Sequence, residues 1–100
     1  MSASLQKVSD AAWALSGEIT PGNAVEVRSA GERLLKDSAV QIQVDLAGIT
    51  RSTSAAISVL LCWMREAEHQ KKKLVFANMP DKMFDVARVS GLDSVLPRQI

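Results

Sequence analysis

The chain has 100 residues with 12 basic and 11 acidic side chains, a formal charge of +1. Such a balance excludes the basic field that would draw a protein onto nucleic acid or an anionic membrane. The length suits one domain over residues 1–100, since compact domains most often hold roughly 100–150 residues. Cys62 is the only cysteine, which excludes an internal disulfide and a cysteine cage for zinc and reads as a chain made for a reducing compartment.

With 47% hydrophobic residues but only two Trp and two Phe, the core has to be built from Val, Ile, Leu, Met and Ala. The opening residues Met1 to Lys7 lack the apolar run of about 7–15 residues that a secretory leader needs. The most apolar stretch, Ala55 to Met64, falls short of the roughly 20 residues of a membrane span. A role at a membrane would therefore depend on a partner that holds the chain there.

The first elements read as a hairpin. Leu5 to Ser9 pairs through the short Asp10-Ala11 connection with Ala12 to Ile19, where Trp13, Leu15 and Gly17 share one side and Ala12, Ala14 and Ser16 the other. Thr20 to Asn23 forms a turn, with Asn23 as N-cap of a helix from Ala24 to Lys36. Val27, Ala30, Leu34 and Leu35 make its apolar face, opposite Glu26, Arg28, Glu32, Arg33 and Lys36.

Val40, Ile42, Val44 and Leu46 alternate with polar residues as in a strand buried on one side, and Asp45 lies near its carboxyl end. A polar loop, Thr50 to Ser54, leads into a second helix from Ala55 to Gln70, whose basic tail Lys71 to Lys73 suits the negative end of the helix dipole. Leu74 to Met79 reads as a buried strand. Asp81 to Ser90 follows as a third helix, with Pro80 at its start, Met83, Val86, Ala87 and Val89 on its apolar side and Gly91 as its stop. Leu92 to Leu96 is a last short apolar segment. This order predicts an α/β fold, a mixed four- to five-stranded sheet with covering helices. In such sheets the functional site lies at the carboxyl ends of the strands, here beside the Thr50 to Ser54 loop.

Enzymatic chemistry finds little support. Ser54, His69 and Asp45 are the only candidates for a nucleophile, a base and its orienter, but Ser54 lacks the Gly-x-Ser-x-Gly elbow and His69 stands some four turns away on the same helix. His69 has no second His or additional Cys with which to hold a metal. Cys62 lies mid-helix without a Cys-x-x-Cys partner and is assigned to packing or surface. Lys71 to Lys73 reads as a solvated helix end, and the five glycines are too scattered to cradle a phosphate.

The second helix is more informative. Ala56, Val59, Leu60, Trp63 and Ala67 form one stripe, and Ile57, Leu61 and Met64 extend it sideways beyond the usual one-sided arc. Either neighbouring helices cover the surplus or a partner does. The hydroxyl cluster before the helix has two readings as well: Ser52, Thr53 or Ser54 caps the helix, or an exposed hydroxyl beside Arg51 meets a partner or accepts phosphate.

The junction from Val44 to Ala56 (VDLAGITRSTSAA), the hairpin ending in Leu15-Ser16-Gly17-Glu18 and the strand Leu74 to Asn78 resemble those of a STAS domain. That fold is shared by anti-sigma-factor antagonists and the cytoplasmic tails of sulphate transporters. Within the family, the short chain, Arg51 and the segment from Asp81 to Arg98 resemble the small STAS subunit of the bacterial transporter that maintains outer-membrane lipid asymmetry.

The resemblance implies a non-catalytic, cytoplasmic accessory subunit without cofactor or metal. It would bind the ATPase subunit of an ABC transporter and lie at the inner membrane only through that partner. Ser54 takes the family's hydroxyl position, with Arg51, Ser52 and Thr53 in the adjoining loop and Ser58, Cys62 and Arg65 extending the surface along the helix. The alternative is an anti-sigma-factor antagonist regulated by phosphorylation at Ser54, although Thr53 stands where that branch carries Asp. Homodimers of the free chain are left open.

Overall fold

The computed structural model describes residues 3–51, 53–89 and 91. Along the chain run β1 (Ala3–Ser9), β2 (Ala12–Glu18), α1 (Ala24–Lys36), β3 (Gln41–Arg51), α2 (Ser54–His69), β4 (Lys73–Ala77) and α3 (Asp81–Val89). The four strands form one sheet in the order β1-β2-β3-β4; β1 and β2 are antiparallel, and β2, β3 and β4 are parallel neighbours. The final apolar segment Leu92 to Leu96, Ser52 and the last predicted residue of the third helix, Ser90, lie outside the described residues.

Both parallel crossovers, β2-α1-β3 and β3-α2-β4, step across the sheet in the same direction, so the right-handed rule puts α1 and α2 on one face. The inward side chains match. Trp13, Leu15, Ile42, Val44, Leu46, Leu74 and Phe76 are buried, while Ala12, Ala14, Gln41, Gln43, Asp45 and Val75 on the other face are exposed or half-buried. The Trp13 and Trp63 rings meet edge to face, 5.8 Å apart at 88°, at the centre of the layer between sheet and helices.

Two close approaches fix the helices. Gly31 of α1 lies against Trp63, where a Cβ would fall 2.2 Å from the indole, and Trp63 Nε1 donates to the Arg28 carbonyl at 3.0 Å. Glycine here costs α1 helical stability, about 0.5–1 kcal/mol relative to alanine, and the ring contact accounts for its presence. Lys72 was expected in a solvated tail of α2, but its ammonium serves α1 instead. Its Nζ donates to the carbonyls of Leu35 and Ser38 and to the Ser38 hydroxyl, placing a cation on α1's carboxyl end.

The third strand differs most from expectation. It continues to Arg51, five residues beyond the Leu46 end predicted from alternation, and Asp45 is therefore an interior residue of β3. The cause is bulging: Ala14 pairs with Asp45 but Ser16 with Gly48, and Gly17 pairs with Ile49 but Glu18 with Arg51. At each step β3 holds one residue more than β2, so the inward positions run Ile42, Val44, Leu46 and then Ile49. Val40 precedes the strand and is exposed rather than core, and Val89, assigned to the apolar side of the third helix, is 86% exposed. Gly91 stops α3 as expected, with φ +75° and its N–H on the Arg88 carbonyl.

Candidate docking surface

With its two bulges β3 ends level with β2, Arg51 paired with Glu18, and α2 begins at Ser54. Thr53 is the N-cap, in an extended conformation with φ −119° and ψ 161°. Its Oγ1 accepts from the Ala56 N–H at 3.1 Å and donates to the Ile19 carbonyl at 2.8 Å. One hydroxyl thereby satisfies an orphan donor of the helix and ties α2 to the end of β2. Asn23 reinforces the same edge. It occupies the N-cap of α1 without capping it; Oδ1 accepts from the Thr20 N–H at 2.8 Å and Nδ2 donates to the Glu18 carbonyl at 3.0 Å.

Ser54 is the first residue of α2, exposed, and among the described residues its hydroxyl has no partner. The two readings of the cluster thus divide between neighbours: Thr53 caps and faces inward, Ser54 faces solvent at the helix's positive end. Ser58, Cys62 and Arg65 follow at four-, eight- and eleven-residue steps, one outward stripe opposite the buried Ala56, Val59, Leu60, Trp63 and Ala67. Ser58 and Arg65 are exposed and Cys62 is half-buried. Arg51 stands at the corner, mostly exposed, its guanidinium 3.7 Å from the Glu18 carboxylate. Four of the seven residues, Ser54, Ser58, Cys62 and Arg65, therefore share one outward stripe, Arg51 stands at the corner beside Glu18, Thr53 is engaged by its two hydrogen bonds, and Ser52 is outside the described residues.

The apolar surplus on α2 is largely covered by the fold. Ile57 is buried, and Leu61 and Met64 are half-buried against the core. What remains outward is polar and small, with an apolar notch at its side. Ala24, Val25 and Arg28 of α1 meet Ser58, Val59 and Cys62 of α2 around a space of about 90 Å³. Val25 is 63% exposed there, and the buried Arg28 Nε has no hydrogen-bond acceptor among the described residues, the Glu32 carboxylate lying 3.9 Å away. The sequence reading missed Val25 and Arg28, because the α1 helical pattern reports which side faces the sheet but not which flank meets α2. On the other side of the corner a wider cleft of about 790 Å³ opens between Ile49, Arg51 and Thr53 and the start of α3 at Pro80, Lys82 and Val86.

Asp45 lies within β3 on the open sheet face, away from Ser54 and His69 on α2. Its carboxylate accepts from the Ala47 N–H at 2.9 Å and from Asn78 Nδ2 at 3.1 Å, and these two bonds, the backbone one foremost, hold its pKa below the ordinary value. His69 ends α2, a helix length away from Ser54. Among the described residues no helix is long and apolar enough to cross a membrane.

A four-stranded mixed sheet with its helices built this way, and a hydroxyl-bearing corner at the carboxyl ends of its strands, is the architecture of a STAS domain. The comparison with family profiles goes further: the chain belongs to the family described as "Mlab, STAS domain", which matches residues 4–97. None of the curated proteins compared with it matches the sequence.

Among solved structures, a chain of the Acinetobacter MlaFEDB complex in an ATP-bound conformation is 29% identical, with a TM-score of 0.78 over 88% of this chain and 93% of that one. The anti-sigma factor antagonist SpoIIAA in its unphosphorylated form has the same fold, at 17% identity and TM-score 0.75 over 99% of this chain and 89% of that one. So does an anti-sigma factor antagonist from Mycobacterium paratuberculosis, at 17% identity and TM-score 0.74 over 97% and 83%. No enzyme family is indicated.

Proposed function

We propose that this chain is an MlaB-type, non-catalytic accessory subunit that docks on the MlaF-like ATPase of a phospholipid-transport ABC complex and supports its assembly and activity. The similarity to a chain of the MlaFEDB complex over nearly the full length of both carries the reading. The docking surface is Arg51, Ser54 and the outward stripe Ser58, Cys62 and Arg65, flanked by Val25 and Arg28. A small-residue stripe beside an apolar notch, with the exposed guanidiniums of Arg51 and Arg65 at its ends, suits a partner surface with one projecting apolar side chain and acceptors around it. The partner keeps the chain at the cytoplasmic side of the inner membrane.

Co-expression with the ATPase of the same genome tests this. The tagged chain brings the ATPase down, and Ser54→Arg, which puts a long charged side chain at the corner where the surface begins, abolishes recovery while the variant keeps its fold. Recovery of the ATPase unchanged by Ser54→Arg would count against the surface, and no recovery by the wild type would count against the partner. A second reading, a phosphorylation-regulated anti-sigma-factor antagonist, draws on the exposed Ser54 hydroxyl at a helix N-terminus. It predicts recovery of a soluble kinase and phosphate on Ser54.

A further inference from the structure

β1 is an edge strand: it pairs with β2 on one side, and among the described residues no strand pairs with the other. Such an edge offers a row of free N–H and C=O groups, which proteins that stay monomeric blunt with charge, proline or a bulge. Ala3, Ser4, Leu5 and Gln6 carry none of these. The register irregularity lies beyond them, between Lys7 and Ser9, and the Lys7 charge is matched by Asp10 at 3.0 Å.

Beside this edge a groove of about 520 Å³ separates β1 from α1. Half-buried Ala3 and Leu5 form its floor, and the α1 flank bearing Glu26, Ala30 and Arg33 forms its wall. Glu26 and Arg33 are both exposed, stand seven residues apart, about two turns, and make no ion pair among the described residues. The wall is therefore negative at its amino end, positive at its carboxyl end and small between, at Ser29 and Ala30.

That sign pattern is complementary to itself when reversed. A two-fold axis at β1 sets two β1 strands antiparallel, joins the sheets into eight strands and lays the two α1 helices antiparallel across the joined grooves. Glu26 of each copy then faces Arg33 of the other, the contact occurring twice, and the small residues between allow the helices to approach. We propose that the occupant of this edge is a second copy of the chain and that the free protein forms this two-fold dimer. The dimer leaves Ser54 and the α2 stripe uncovered; Val25, which lines both this groove and the notch beside Cys62, is the one lining residue the two surfaces share.

Sedimentation equilibrium under reducing conditions, so that Cys62 cannot bridge copies, tests it from about 1 µM to about 1 mM. The wild type shows a reversible monomer–dimer equilibrium. Glu26→Arg sets four arginines against one another and weakens association roughly tenfold or more, and the double variant Glu26→Arg with Arg33→Glu restores it. Both positions are exposed, so each variant keeps the wild-type circular dichroism spectrum. A wild type that stays monomeric throughout, a Glu26→Arg variant that associates as well as the wild type, or a double variant without rescue overturns the proposal. Ser54→Arg leaves association unchanged; loss of the dimer in that variant would place the contact on the docking surface and also overturn it.

Discussion

Replacing Thr53 by valine keeps the shape of the side chain and removes its hydroxyl, and with it both bonds at the corner. The N-cap bond to Ala56 contributes about 1 kcal/mol, and the bond to the carbonyl of Ile19, the residue just after β2, contributes about 1 kcal/mol more. Their sum, about 2 kcal/mol, corresponds in a domain of this size to a fall in Tm of about 8–16 °C. Thr53→Ser keeps both bonds and stays near the wild type. Ser54→Ala removes a hydroxyl with no internal partner at a helical position alanine favours, so its effect stays within about 0.5 kcal/mol. Urea unfolding followed by circular dichroism measures all three. The division of labour between the neighbouring hydroxyls is refuted if Thr53→Val is neutral, or if Ser54→Ala costs as much as Thr53→Val.

Gly31→Ala drives a methyl into the Trp63 indole and destabilises by about 1–3 kcal/mol, with a change in tryptophan fluorescence as the ring is displaced; a stable variant with wild-type emission would mean the helices slide apart at no cost. Lys72→Met leaves the carboxyl end of α1 without its cation and costs about 1–2 kcal/mol, read as a lower denaturation midpoint. Asp45 has a pKa lower in the folded state than in the unfolded one, so its contribution is complete above the unfolded value, about 3.9, and is lost as pH falls through the folded value. The stability gap between wild type and Asp45→Asn therefore narrows on acidification from neutral pH to about pH 3; a constant gap contradicts the assignment.

The hairpin, the three helices and β4 were legible because each carries a local signal: period-2 alternation around Trp13 and Leu15, a 3.6-residue stripe through Ala56, Val59 and Trp63, and a glycine stop at Gly91. What was illegible depended on contacts distant in sequence. The two bulges of β3 exist only relative to β2, so alternation ends the strand at Leu46 and leaves Ile49 outside it. Val40 continues the apolar alternation yet precedes the first paired residue. Gly31 carries no local signal in α1, and its reason is Trp63, thirty-two residues later, which occupies the space beside it. Lys72 likewise reads as a solvated charge unless the end of α1 is known to lie within its reach. At the candidate docking surface Ser54, Ser58, Cys62 and Arg65 came from the family resemblance, and helical spacing puts them on one side of α2, whereas Val25 and Arg28 needed the packing of α1 on α2.

The corner also constrains how the two readings of function differ. An N-cap residue is extended, so its side chain can reach the first turn's N–H groups, while the next residue is helical and directs its side chain away from the axis. Thr53 and Ser54 obey this geometry, which removes the threonine hydroxyl from any exchange with a partner and leaves the serine hydroxyl available without cost to the fold. A phosphoryl group on Ser54 would gain from the positive end of α2 and, on the proposed docking reading, would stand at the amino end of the stripe that an ATPase would cover. On the two proposed readings, docking and phosphorylation would meet at the same hydroxyl. Stability measurements cannot separate them, because neither act disturbs the Thr53 bonds that hold the corner; the distinction rests on which protein approaches it.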